Sequence, residues 1–406
     1  MSCLATQTLS SEVPSARSQP CADEQTASRM RQIRVTHVVW NFDGGGLESV
    51  VASLARRFRH SEIRTSVISL SGRIGRLGLE RRGDFDEVLA TRPWRGISNI
   101  APIGLARLIR RTQADVVHLH SGVWFKGALA ARLAGVRRVI FTEHGREHND
   151  PLSSRLQDAA ASRLTDVIVP VSPRLESYLH RRLRIPMERL CTIPNGIDTD
   201  AFTPGTGAAV RGELEIPGEA LVIGSVSRLS SVKRFDHLMA CLPSLIRHED
   251  PCYPVYLMIC GEGPEEAPLR EQAARLGVLE RVRMLPWRSE PRDVYRALDV
   301  FILPSKSEGL SMSLLESMAC GLPSVVTDVG ANREVLGTQA ASQVVPPEDD
   351  DALTSAIDRL LHDSQCRLEA GRRARLRVEN TYSLARVTRA YAELYRAGAR
   401  EEFTRQ

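Results

Sequence analysis

Residues 299–330 read DVFILPSKSEGLSMSLLESMACGLPSVVTDVG. Val300 to Leu303 is a short apolar run broken by Pro304, the pattern of a strand buried on both faces of a parallel sheet. A polar loop, Ser305 to Gly309, follows. Leu310, Leu314, Leu315 and Met318 then recur at helical spacing until Gly321-Leu322-Pro323 stops the helix. A second apolar strand starts at Ser324. The unit is strand, loop, helix, strand, with an acid and a glycine where the helix begins. Backbone N–H groups at a helix N-terminus receive anions, and Gly309 lets a ligand come close to the backbone.

Glu308 precedes that helix and Glu316 lies within it. Eight helical positions return to within roughly 80° of the start, so both carboxylates can face one crevice at the strand's carboxyl end. Two acids beside a phosphate-receptive helix end suit a nucleotide sugar, one for sugar hydroxyls and one for ribose hydroxyls. The spacing alone fits equally a solvated loop glutamate and a helix-surface glutamate.

Other stretches repeat the strand–loop–helix pattern. QIRVTHVVW, residues 32–40, is a strand, Asn41 to Gly46 a tight loop, and Leu47 to Phe58 an amphipathic helix. Three glycines there, Gly44 to Gly46, can seat a phosphate or admit an acceptor, but the G-x-G-x-x-G spacing of a dinucleotide site is absent. Glu48 opens the helix where an acid complements the dipole. DVVHLH, residues 115–120, is a strand ending in His118-x-His120; no third metal ligand lies near it in sequence, and strand ends face the crevice of an open α/β sheet. Strand 138–142 leads to Glu143-His144-Gly145, and strand 166–171 follows. In the second half, strand 221–226 leads to SRLSSVKRFDHLM. Arg228 and Lys233 flank a serine-rich turn before a helix, which is a diphosphate clamp or a pair of solvated charges. Strand 282–285 leads to Pro286-Trp287-Arg288.

The string EGLSMSLLESMACGLPSVVTDVG resembles the acceptor–donor crevice segment of retaining family-4 glycosyltransferases. The resemblance extends over most of residues 33–400, because GGGLESVV, TEHG, IPNGIDTDAF and the R-x4-K pattern of Arg228 and Lys233 fall in the family's order. It implies an α/β GT-B fold, two Rossmann-like domains facing each other across a central cleft. The first thirty residues, rich in Ser, Thr, Ala and Gln, read as a disordered extension (1–30); the resemblance divides the rest into an acceptor domain (31–204) completed by a terminal helix (382–400), and a donor domain (205–381). It implies that Gly45 and Gly46 face the donor diphosphate, and that His144 lends a backbone or side-chain hydrogen bond to the transferring sugar. Arg228 and Lys233 would hold the diphosphate, with Glu308, Gly309, Leu310 and Glu316 lining the rest of the donor site. His144, Glu308, Arg228 and Lys233 are the catalytic set. Gly330-Ala331 replaces the family's paired glycine. No cofactor and no metal are expected; the donor would be a UDP- or GDP-linked sugar, the acceptor a saccharide or lipid-linked glycan, the reaction retaining. The strings Asp84–Asp86 and Asp198–Asp200 sit beside no nucleotide-binding pattern. A nucleotide-sugar epimerase of the same shape, which needs no acceptor, and a non-catalytic nucleotide-sugar-binding protein are the rival readings.

The 406 residues suffice for two cores. No apolar run is long enough to span a membrane, the first thirty residues lack the apolar core of a signal peptide, and eight scattered cysteines without a C-x-x-C pair read as reduced thiols. A cytoplasmic location follows. The net charge of +5 is unevenly spread: +10 from Arg31 to Asp200 against −4 from Phe202 onward. This basic half, with Arg107, Arg110 and Arg111 in one helix and Arg181, Arg182 and Arg184 in another stretch, suggests peripheral contact with an anionic membrane face. Leu105, Leu108 and Ile109 would dip into the interface or else pack the core. Nucleic acid is the competing anion, and no recognition motif supports it.

Overall fold

The computed structural model describes residues 32–91, 102–145 and 152–400. The expected N-terminal extension lies outside them. Among the described residues twelve strands form two sheets. The first contains β1 (Ile33–Val39), β2 (Ile63–Ser69), β3 (Glu87–Ala90), β4 (Val116–His120), β5 (Arg138–Glu143) and β6 (Val167–Pro170). The second contains β7 (Leu221–Val226), β8 (Val255–Cys260), β9 (Val282–Leu285), β10 (Val300–Leu303), β11 (Ser324–Thr327) and β12 (Val344–Val345).

The first sheet runs β3-β2-β1-β4-β5-β6 and the second β12-β11-β10-β7-β8-β9, with every pairing parallel. Read from its own first strand, each half has the doubly wound order 3-2-1-4-5-6. The short apolar runs explain this: strands such as Val300–Leu303 and Val116–His120 are buried along their whole length, which requires helices on both faces. Each sheet reverses direction between its first and fourth strands. There the loops leaving adjacent strands diverge and open a crevice. The GT-B expectation therefore holds: two Rossmann-like units, one on each sheet.

The terminal helix, Leu384–Arg400, returns to the first unit. Tyr391 and Tyr395 are buried there, and the Tyr395 hydroxyl lies 2.7 Å from His118 Nδ1. The two crossing segments pair with each other: Ile197 N–H donates to Tyr382 O at 2.9 Å and Leu384 N–H to Ile197 O at 2.7 Å. Arg375, on helix Ser364–Thr381, donates to the carbonyls of Thr199, Phe202 and Ala319. One guanidinium thus joins the crossing to the second unit.

Several elements differ from the sequence reading. The helix after β10 spans Met312–Ala319 with Ser311 as its N-cap, its hydroxyl accepting from Leu314 N–H. Glu308 to Leu310 are loop, so eight positions of helix do not relate Glu308 to Glu316. The arginine-bearing helix is Ile103–Arg111. Leu105 and Ile109 are buried core residues and Leu108 packs against them, so none reaches outward to a membrane. Arg111 pairs with Glu87 at 3.1 Å. Among the described residues no helix is long and apolar enough to cross a membrane.

Candidate active site

The site residues gather at the two crevices because the fold puts them there. The chain leaves β7 at Val226, passes Arg228, and makes one 3-10 turn, Ser231–Lys233, before helix Phe235–Arg247. Arg234, between turn and helix, takes the left-handed conformation (φ +51°). Ion pairs to Asp236 and Glu348 hold it there, offsetting a backbone cost of about 1–2 kcal/mol. Across the switch point β10 ends at Leu303 and releases the loop Ser305–Leu310. Lys306 N–H donates to Val232 O at 2.8 Å, tying the two loops together.

Lys233 Nζ lies 2.6 Å from Glu308 Oε1, which also accepts from the buried Ser305 hydroxyl at 2.6 Å. The two charged side chains are 19% and 9% exposed, so this ion pair is held away from bulk water. Arg228 is exposed at the rim. Its charge bears on Glu48 of the first unit, whose carboxyl burial raises above its ordinary value while backbone N–H groups of Glu48 and Gly45, then Arg228, act against the rise. Glu48 thus folds back over the N-terminus of helix Gly46–Phe58, where Gly45 offers no side-chain cap.

Glu316 sits on helix Met312–Ala319 and is half-buried. Its Oε2 accepts from the Tyr295 hydroxyl at 2.6 Å. Desolvation lifts its carboxyl to about 7, against the opposing hydrogen bond from Tyr295.

On the facing unit, His144 follows β5. Its N–H donates to Ser121 Oγ at 2.8 Å, and Ser121 donates to Glu143 Oε1 at 2.6 Å. Both ring nitrogens are engaged: Nε2 with His120 Nδ1 at 3.0 Å, and Nδ1 with Asn195 Oδ1 at 3.2 Å. Burial pulls the ring down to about 4, the Asn195 hydrogen bond opposing. The sequence reading left open a backbone or a ring contact to the sugar; in this arrangement the ring has no nitrogen to spare.

The two units meet here. A Cβ added at Gly309 would lie 1.8 Å from His144 O, one at Gly46 would lie 3.2 Å from Met312 Cγ, and one at Gly44 would lie 3.4 Å from the Trp287 ring. Trp287 is further covered by the Arg76 guanidinium, 4.8 Å from its ring centroid. Asn195 Nδ2 donates to Leu310 O at 3.2 Å across the cleft. Gly45, Gly46, His144, Arg228, Lys233, Glu308, Gly309 and Leu310 therefore border one cleft, whereas Glu316 lies deeper, against Tyr295.

The two D-x-D strings stand apart in role. Asp198 Oδ1 accepts from Asp200 N–H and Ala201 N–H, closing its own turn, and Asp84 faces Arg59. The His118-x-His120 pair does gain a third imidazole, which sequence proximity could not show: β1 pairs with β4 so that His37 lies opposite His118. One ring nitrogen from each of these buried residues lies within 4.8 Å of the others.

Comparison with known proteins gives a consistent pattern. The family described as "Glycosyltransferase Family 4" matches residues 44–201, and "Glycosyl transferases group 1" matches residues 208–377. The UDP-Gal:alpha-D-GlcNAc-diphosphoundecaprenol alpha-1,3-galactosyltransferase of Escherichia coli is 24% identical over 306 residues, 72% of this chain and 78% of that one. The D-inositol 3-phosphate glycosyltransferase of Corynebacterium glutamicum (strain R) is 26% identical over 386 residues, 87% of this chain and 92% of that one. Among solved structures, Anabaena HepE in complex with UDP and glucose superimposes with a TM-score of 0.78 at 19% identity, covering 90% of this chain and all of that one.

Proposed function

The chain belongs to the glycosyltransferases that join a family 4 module to a group 1 module, and from that premise we propose that it moves a sugar from a UDP- or GDP-linked donor to a saccharide or lipid-linked saccharide, with retention, in bacterial exopolysaccharide, capsule or lipopolysaccharide synthesis. The observation that carries this reading is the Lys233–Glu308 pair at the second sheet's switch point, set opposite the His144 carbonyl. Glu308 balances Lys233, and the charge of Arg228 bears on Glu48. A donor diphosphate takes both cations. Glu308, released from Lys233, is then free to accept from a hydroxyl of the sugar, and Glu316 accepts from the ribose. As the glycosidic bond breaks, charge grows on the leaving diphosphate, and fixed cations stabilise it more than they stabilise the ground state. This chemistry requires no divalent metal and no cofactor.

The test is incubation with UDP- and GDP-linked sugars and a panel of acceptors, soluble or carried on anionic vesicles, with the product's anomeric configuration read by NMR. Acceptor-dependent transfer with retention, undiminished by a chelator, is expected. Vesicle-borne acceptors should do better at low salt if the basic first unit rests on the membrane. Release of free epimer without any acceptor, or activity lost to chelator and restored by manganese, overturns the reading.

A pH effect follows from Glu316. Its folded pKa of about 7 lies above the ordinary carboxylate range, so its acceptor-only form fills in as pH rises through 7. The affinity advantage of the wild type over Glu316→Gln for the bare nucleoside diphosphate should therefore be small at pH 6 and grow to about 10–100-fold by pH 8, the worth of hydrogen bonds to a charged group. Taking the ratio cancels the titration of the phosphate itself. A ratio that does not change with pH removes Glu316 from the ribose site.

A further inference from the structure

We infer that His37 and His120 are positioning residues for the transfer reaction: with His144 and Asn195 they form a hydrogen-bonded chain of one polarity, which runs from the core of the first unit to the Leu310 carbonyl of the second. The inference extends the proposed transfer chemistry and rests on it for the meaning of "positioning"; the chain's existence and polarity do not.

Polarity follows link by link. Asn195 has one oxygen and one NH2 group, and Leu310 O can only accept. Asn195 Nδ2 therefore faces Leu310, at 3.2 Å, and Oδ1 faces His144. An oxygen there must accept, so His144 carries its proton on Nδ1. His144 Nε2 is then a bare acceptor, and its neighbour His120 Nδ1, at 3.0 Å, must donate. His120 Nε2 in turn accepts from His37 Nδ1, at 3.1 Å. All three imidazoles are neutral Nδ1–H tautomers. The chain ends on His37 Nε2, which among the described residues is buried without a partner; this polarity leaves a bare acceptor there, which costs less than a stranded N–H.

The surroundings suit a neutral chain. Among the described residues, the groups packed around His37 and His120 include His118, with ring centroids 5.1 and 4.3 Å away, and beyond it Tyr391 and Tyr395 of the terminal helix. His118 is spent on Tyr395 OH and Thr142 Oγ1, each at 2.7 Å. Burial holds all four imidazoles below the ordinary histidine range. At the other end, His144 is pinned through its backbone by Ser121 and through its ring by the chain. The side chain is thereby fixed while the carbonyl is presented to Gly309 and to whatever sugar enters beside it. The chain also sets the amide of Asn195 with its NH2 toward the second unit, so one tautomer choice in the core decides whether the cross-cleft bond to Leu310 can form.

The same three nitrogens of His37, His118 and His120 could be read as a metal cluster. Both nitrogens of His118 and both of His120 already have protein partners, so a metal would have to break those bonds; metal binding is an outcome of the test.

The test has two arms. In full-length protein labelled with 15N-histidine, long-range nitrogen–proton spectra at pH 7.5 should show His37, His120 and His144 each protonated on Nδ1 and bare on Nε2, with shifts unmoved by zinc. A protonated Nε2 on any of the three, or a zinc-dependent shift of both His118 and His120, overturns the inference whether or not the donor is known. In the kinetic arm, His37→Leu should lower kcat by up to about 100-fold, the effect of an ångström-scale misplacement, with the donor KM little changed. His37→Asn, whose amide NH2 sits near the lost Nδ1–H, should restore most of it. Equal activity in the two variants overturns the inference. If no donor supports turnover at all, the failure belongs to the proposed reaction, and the tautomer pattern still decides the chain.

Discussion

Lys233→Ala should lower kcat/KM for the donor by about 10²–10³-fold, the loss typical of removing one preorganised group at a developing charge. The expectation comes from where Lys233 sits. Its side chain is 19% exposed, and its ammonium group lies 2.6 Å from the carboxylate of Glu308, a side chain 9% exposed. Solvent screens such a pair poorly, and a diphosphate that replaces the carboxylate meets the same unscreened cation. The substitution has a second effect that must be separated from the first. It leaves Glu308 with the Ser305 hydroxyl as its remaining close partner, and an uncompensated carboxylate in a largely buried setting is destabilising, by up to about 3–5 kcal/mol when burial is complete and by less here. Pairing Lys233→Ala with Glu308→Gln removes the stranded charge. The double variant should recover the melting temperature of the wild type and stay inactive. Wild-type turnover in Lys233→Ala would show that the cation does not touch the donor.

Much of this site was legible in the chain because it depends on local signals. Apolar runs ending in Gly, Ser or acid mark parallel strands whose loops carry chemistry, and the switch-point rule then gathers those loops. Lys233, Glu308 and the Gly44–Gly46 turn are near-neighbours of strand ends, and the fold brings them to one cleft. What could not be read depends on pairing across long separations. His37 is a histidine in the middle of the apolar strand IRVTHVV; that burial of a polar ring was the available signal, but its partner, His120, is 83 residues away. Asn195 announced only a turn with Gly196, and its side chain proves to be the bridge between His144 and Leu310. Tyr295, which holds Glu316, stands in a five-residue helix with no pattern of its own. The arginine-rich helix misled in another way. Its Leu105 and Ile109 follow the spacing of any amphipathic helix, and the pattern cannot say whether the apolar face meets a sheet or a lipid surface.

Gly309→Ala should abolish most turnover while leaving the affinity for bare nucleotide close to that of the wild type. The added methyl would stand 1.8 Å from His144 O and 2.9 Å from Gly145 Cα. Contact between a methyl and a carbonyl needs roughly 1.5 Å more, and neither obstacle is a flexible side-chain end that could swing aside. The facing residue repeats the constraint, since a Cβ at Gly145 would lie 2.8 Å from Gly309 Cα. Two backbones meet here because neither residue has a side chain, and the carbonyl that borders the sugar position is one of the meeting atoms. The methyl must therefore push the two units apart. Leu310 and Met312, just after Gly309, belong to a hydrophobic cluster that spans both units, so separation lowers the melting temperature as well; it also withdraws the His144 carbonyl from the Lys233–Glu308 pair and stretches the Asn195–Leu310 bond. An ångström of misplacement is worth about 100-fold in rate, and the loss should fall on kcat, because nucleotide contacts made within the second unit alone, at Glu316 and Lys233, are untouched. Small-angle scattering should show a larger radius of gyration with nucleotide bound than the wild type has under the same conditions. Gly330→Ala is the contrasting case: its φ of +54° and a Cβ 2.2 Å from Glu308 O strain the second unit internally, so it should lower the melting temperature and weaken nucleotide binding together. Full turnover in Gly309→Ala would mean that the backbone contact between the units is not part of the reactive arrangement.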